Sequence, residues 1–112
     1  MHELFSLKNK AVVITGSSRG IGRGMAKRFS EFGAKLIISS RKLEACKKVE
    51  MEIIKEGGIA FSKECNISVK KHCEELVDFC IEKYGKLDVL ICNAASNPYY
   101  GDLEKIPDEL FD

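Results

Sequence analysis

Ala11-Val-Val-Ile-Thr-Gly-Ser-Ser-Arg-Gly-Ile-Gly22 is the stretch that decides the fold. Its first four residues are a continuous apolar, β-branched run between Lys10 and Gly16, which reads as a strand buried on both faces. Its glycines fall at positions 16, 20 and 22, in the spacing G-x-x-x-G-x-G. Ile21, Met25, Phe29 and Phe32 then recur at helical spacing, so a helix is expected over 21–32, with Gly33 as its stop. A strand, a glycine-rich turn and a helix in direct succession aim freed backbone amides and a helix N-terminus at one point. In such a turn Gly16 permits the sharp bend and Gly20 lets a ligand approach the backbone. Gly22 lets the helix pack close to the strand. No Gly-Lys-Ser/Thr follows, so this is not the Walker spacing.

The same alternation continues outward. Residues 36–39 read as a second strand and 42–56 as a helix with Cys46, Val49 and Ile53 on one stripe. Residues 59–64 are a weaker third strand. Ser68 offers an N-cap to a helix carrying Val69, Cys73, Leu76, Val77, Cys80 and Ile81 on one face, which Gly85 ends. Leu87–Cys92 is the fourth strand, Asn93–Gly101 a polar loop, and 107–112 the first turns of another helix, with Pro107 near its start. The order β-α-β-α-β-α-β implies right-handed crossovers and a doubly wound parallel sheet of the α/β Rossmann type. Ligands of such sheets bind at the carboxyl ends of the strands. That directs attention to residues 15–22, 39–41, 65–67 and 93–101.

Composition sets the frame. With 112 residues, 45% hydrophobic and 31% charged, the chain fits one small globular domain. The net charge of +1 hides an asymmetry: residues 1–56 carry 12 basic and 6 acidic side chains, residues 57–112 carry 6 and 11. A basic half suits a phosphate-bearing partner, although basic side chains also simply solvate helix faces. Nothing indicates a nucleic-acid partner. Five cysteines, an odd number with no Cys-x-x-Cys pair, read as reduced buried thiols, not as disulfides or zinc ligands. The opening Met1-His-Glu-Leu-Phe-Ser-Leu7 lacks the organisation of a secretory signal. No apolar run approaches the roughly 20 residues of a membrane span. The expected location is the cytoplasm.

Thr15-Gly-Ser-Ser-Arg-Gly-Ile-Gly22 matches every fixed position of the pattern T-G-x-x-x-G-I-G, and on it the chain resembles the short-chain dehydrogenase/reductase family. Asp88-Val-Leu-Ile-Cys-Asn-Ala-Ala95 resembles a second block of that family, with Ala95 in place of the usual Gly. The resemblance covers about Leu7 to the end. It implies the strand order 3-2-1-4 and a dinucleotide cofactor held by Gly16, Ser18, Arg19, Gly20, Ile21 and Gly22. Ser40, Arg41, Asn66, Ile67, Asn93, Ala94 and Ala95 are the further cofactor-binding candidates.

Where binders of unphosphorylated dinucleotides carry an acid at the end of the second strand, this chain has Ser40-Arg41-Lys42, with no acid before Glu44. Ser40 can donate to a phosphate and Arg41 can pair with a 2′-phosphate, with Arg19 as a second charge, so NADP(H) is expected over NAD(H). The family's usual Asp after the third strand is Asn66 here, able to accept from the adenine amino group through its side-chain oxygen. Asn93 can tie adjacent strands through its amide.

The family's catalytic Tyr-x-x-x-Lys pair does not occur in these residues: Tyr84, Tyr99 and Tyr100 are followed four positions on by Asp88, Leu103 and Glu104. No catalytic residue is assigned. The expectation is therefore an incomplete NAD(P)-binding domain over 1–112, lacking the family's catalytic half. It would belong to an enzyme acting on small alcohols or carbonyls, homo-oligomeric at full length. The alternatives are an inactive NADP(H)-binding fragment and a non-functional truncated product. In such a fragment Leu87–Cys92 would lie at the sheet edge, which would make the chain marginal in stability or prone to aggregate.

Overall fold

A computed structural model describes residues 7–94 and 97–101. Strand β1 (Ala11–Thr15) leads into helix α1 (Gly20–Glu31), β2 (Lys35–Ser40) into α2 (Leu43–Lys55), and β3 (Ile59–Glu64) into α3 (Lys70–Tyr84). Then come β4 (Val89–Ala94) and β5 (Asn97–Gly101). The sheet order is β3-β2-β1-β4-β5. The first four strands are mutually parallel, with Val13 beside Ile37 on one side and Leu90 on the other. This is the expected 3-2-1-4 arrangement. The helix expected at 107–112 lies outside the described residues.

The two-residue period of the strands sorts their side chains into two cores. Val12, Ile14, Leu36, Ile38 and Ile91 pack on one face under α1 and α2, through Ala26, Cys46, Val49 and Ile53. Ala11, Val13, Ile37, Leu90 and Cys92 pack on the other under α3, through Cys73, Leu76 and Cys80. Each fully buried aliphatic side chain contributes about 1.5–3 kcal/mol. β1 and β2, buried on both faces as their continuous apolar runs imply, therefore anchor the domain. On the outer side of α1 and α2, Arg23 donates to both carboxylate oxygens of Glu52, holding the two helices in register.

Four expectations are corrected. Residues 97–101 are not loop: β5 pairs antiparallel with β4, Leu90 opposite Gly101 and Ala94 opposite Asn97. Only two residues separate the strands, and so short a link allows only antiparallel pairing. Pro98 fits because β5 is an edge strand. β4 is therefore not the sheet edge; among the described residues the edges are β3 and β5. Ser68 is not the cap of α3: the helix begins after Val69, without a side-chain cap. The Ser68 hydroxyl donates instead to Asn66 Oδ1. Val69 and Ile81 are exposed, so the buried stripe of α3 is narrower than its apolar pattern.

All five cysteines are buried and unpaired, and no described helix is long and apolar enough to cross a membrane. Tyr84 is a structural tyrosine: its hydroxyl donates to Leu36 O at 2.7 Å, and burial pushes its pKa above the ordinary range.

Asp88, just before β4, closes the start of the sheet. Its Oδ2 accepts from Ala11 N at 2.8 Å and pairs with Lys86 Nζ at 3.1 Å, while its own amide donates to Ala11 O. The Ala11 N–H, with Lys86 behind it, holds the carboxyl below its usual pKa. The lowered folded-state value means that this stability is present above the unfolded-state pKa and is lost as pH falls through the folded one. Asp88→Ala is expected to cost roughly 1.5 kcal/mol at pH 7, the low end for a bond to a charged acceptor because the carboxylate is 26% exposed. The cost should shrink as the pH drops below the carboxylate range. Urea unfolding at pH 7 and at pH 3 checks both the size and the sign.

Candidate functional site

β1 ends at Thr15, and the loop that follows is fastened on both sides. Ser17, fully buried, donates its hydroxyl to Ile14 O at 2.6 Å and accepts the Ser39 amide at 2.9 Å, while its own amide donates to Ser39 O. This pins the loop to β2. On the other side the Asn93 amide donates to Thr15 Oγ1 at 3.1 Å and Asn93 Nδ2 to Gly16 O at 3.4 Å, pinning the loop to β4. Ser17 was not singled out from sequence; it looks like any loop serine until β2 is placed beside it.

The glycines have distinct reasons. Gly16 and Gly20 have φ of 66° and 60°, the left-handed region that side chains disfavour. Gly22 is a steric case: a Cβ there would stand 2.2 Å from Gly16 O and 2.8 Å from Asn93 Nδ2. The helix start thus lies directly against the loop and the end of β4. At Gly20 a Cβ would meet no protein atom within 4 Å.

That side opens into a cleft of about 710 Å³ at the carboxyl ends of β1 to β4. Gly16, Ser18, Arg19, Gly20 and Ile21 line it from the loop, Ser40 and Arg41 from the end of β2, Asn66 and Ile67 from the end of β3, and Asn93 from β4. Gly22 is buried behind this wall. Ala94 is described only as the last residue of β4, and Ala95 lies outside the described residues. Lys42, Ala45, Cys65 and Ser68 also line the cleft. Lys42 follows Arg41 in the quoted basic stretch, Cys65 falls among the strand-end residues 65–67, Ser68 reads as a helix cap, and Ala45 carries no sequence signal. Ile21, placed on the helix stripe, is 66% exposed because it faces the cleft and not the core.

Among the described residues, Arg19, Arg41 and Lys42 are the charged members of the lining, and none is a carboxylate. Ser40 Oγ accepts the Lys42 amide at 3.1 Å and lies 3.1 Å from Cys46 Sγ, so its hydroxyl shapes the β2–α2 turn. Asn66 Oδ1 is already engaged, accepting from the Ser68 amide at 3.0 Å and the Ser68 hydroxyl at 2.6 Å. Burial, reinforced by Cys73 and Cys92, pushes the Cys65 thiol up to about 12, so it stays protonated at neutral pH and is no nucleophile. Asn93 Oδ1 is buried with no partner among the described residues.

A dinucleotide fits this donor set. The glycine turn can accommodate a pyrophosphate against the α1 N-terminus, and Arg19, Arg41 and Lys42 line the same cleft.

The comparisons agree. The short chain dehydrogenase family model matches residues 10–112. The chain is 37% identical over 92 residues to the short-chain dehydrogenase/reductase SDRA of Arabidopsis thaliana, covering 82% of this chain and 36% of that protein. It is 33% identical over 106 residues to dehydrogenase/reductase SDR family member 4 of Bos taurus, covering 95% and 38%. The crystal structure of a hydroxysteroid dehydrogenase from Escherichia coli superposes with a TM-score of 0.83 at 35% identity, covering 86% of this chain and 41% of that one. The chain therefore belongs to the short-chain dehydrogenase family of oxidoreductases, of which it represents the cofactor-binding region. It spans well under half the length of these relatives.

The two glycine types should separate in stability. Gly22→Ala forces backbone apart and should cost at or above the upper end of the roughly 1–3 kcal/mol of overpacking. Gly20→Ala meets open space and should cost only the left-handed backbone penalty, roughly 1 kcal/mol. Thermal unfolding should rank wild type above Gly20→Ala above Gly22→Ala.

Proposed function

We propose that the cleft binds NADP(H) in preference to NAD(H), and that the whole protein transfers hydride between this cofactor and an alcohol or carbonyl substrate. The observation that carries the cofactor reading is the lining of the cleft at the end of β2: Arg41 and Lys42, with Arg19 in the facing loop, and no carboxylate among the described residues. A carboxylate there would hold ribose hydroxyls and repel a 2′-phosphate; this set attracts one. When bound, the nicotinamide supplies the hydride. This chain's own residues would hold and orient the cofactor: the loop amides and Ser18 the pyrophosphate and Arg41 the 2′-phosphate, with Asn93 bracing the turn from β4. The dehydrogenase names of the relatives support the alcohol and carbonyl class of substrate.

Arg41→Ala removes a charge-assisted contact of roughly 1.5–3 kcal/mol. NADPH affinity should therefore fall about 10- to 100-fold, while NADH affinity changes little. Fluorescence titration of both reduced cofactors is the check; equal losses would contradict the assignment.

A further inference from the structure

We infer that His72, which does not itself line the cleft, is a positioning residue for cofactor binding: its ring seats the β3–α3 loop, one wall of the cleft, by accepting the backbone amide of Asn66. The inference rests on the cofactor reading above.

Among the described residues β3 is an edge strand, and its ladder with β2 ends at Cys65, whose amide donates to Ser40 O at 2.9 Å. Successive amides of a strand point to opposite sides, so the Asn66 amide is turned away from β2, to the side where no described strand can receive it. The first turn of α3 receives it instead. His72 Nδ1 accepts the Asn66 amide at 3.2 Å, and the next residue, Cys73, donates its thiol to Ile67 O at 3.6 Å. Two consecutive helix residues thus hold two consecutive loop residues. His72 is the third residue of α3, the position from which a side chain commonly reaches back to the N-cap amide. Here the N-cap is Val69, and His72 reaches three residues beyond it.

This bond fixes the chemistry of the ring. The Asn66 N–H can only donate, so the Nδ1 it meets carries a lone pair, and the neutral imidazole holds its proton on Nε2. The loop so held is a wall of the cleft, since Cys65, Asn66, Ile67 and Ser68 all line it. Its other bonds are internal: Ser68 to Asn66 Oδ1, and the Val69 amide to Asn66 O at 2.9 Å. Those set the shape of the turn. Its seat on the helix comes from His72 and Cys73, and of the two the thiol is the weaker hydrogen-bonding group. Without the His72 acceptor the turn keeps its shape and loses its seat, so a ligand entering the cleft must order that wall as it binds.

Two variants separate the acceptor from the bulk of the ring. His72→Asn keeps an acceptor on the same branch atom; His72→Leu fills the space and has none. Fluorescence titration with NADPH and the amide spectrum of the labelled chain are read together. His72→Leu is expected to weaken NADPH binding about three- to tenfold, the scale of one hydrogen bond between neutral groups, and to move the Asn66 amide resonance. His72→Asn is expected to stay within about twofold of the wild type. A loss below about threefold in folded His72→Leu, or an equal loss in both variants, overturns the inference and leaves the cofactor reading intact. A wild type that binds no NADPH brings down both. The ring nitrogens of the wild type, read by NMR at pH 8, need no variant. A bare Nδ1 is expected there, and a proton on Nδ1 overturns the inference even if His72→Leu fails to fold.

Discussion

The structure depends on one backbone contact. At Gly22 the start of α1 comes so close to the Gly16 carbonyl and to Asn93 that no Cβ fits between them. Three segments distant in sequence meet there: the turn after β1, the first turn of α1 and the end of β4. The contact sets the angle at which α1 leaves the sheet, and so determines which side of the turn faces outward. Because Gly22 fills the inward side, Gly20 and Ile21 stand at the open side, where the cleft begins. Ser17 and Asn93 then hold the turn from opposite flanks, through β2 and β4. A loop braced in this way presents its amides without reorganising, which is what a fixed anion site requires.

Electrostatics sets the other end of the cleft. The excess of basic residues in the first half of the chain is spread over several helices, and much of it only solvates surface. What the fold adds is convergence. The turn after β1 and the turn after β2 are neighbours only because those strands pair in parallel, which brings Arg19, Arg41 and Lys42 around one volume. Among the described residues, no acidic side chain joins that lining. The thiol at the base of the cleft, Cys65, has its pKa raised further by burial, so it adds no negative charge to the lining at neutral pH.

Most of this was legible in the sequence, for physical reasons. β1, β2 and β4 are runs of β-branched and apolar residues long enough to be buried on both faces, and glycines bound the helices between them. The 3-2-1-4 order came from resemblance, not from any local signal, since pairing partners are not encoded in periodicity. β5 was missed because Asn97-Pro-Tyr-Tyr-Gly101 has the composition of a turn; it is a strand through the exposed edge of β4, a tertiary effect. Ser68 was read as a helix cap because its type and position suit that role, but Asn66 two residues earlier captures it first. That same capture changed the meaning of Asn66. Residue type allows an amide either polarity, and only the neighbouring donors of Ser68 fix which end of the Asn66 amide is engaged within the turn.

The account turns on the cleft holding a phosphorylated dinucleotide with its extra phosphate at the β2–α2 turn. Backbone amide chemical shifts of the labelled protein, mapped separately with NADP+ and with NAD+, test this directly. The account predicts that both cofactors move the amides of residues 16–22 and that the difference between the two maps is confined to Arg19 and residues 40–42. Differences centred elsewhere, or an undisturbed glycine turn under saturating cofactor, would contradict it.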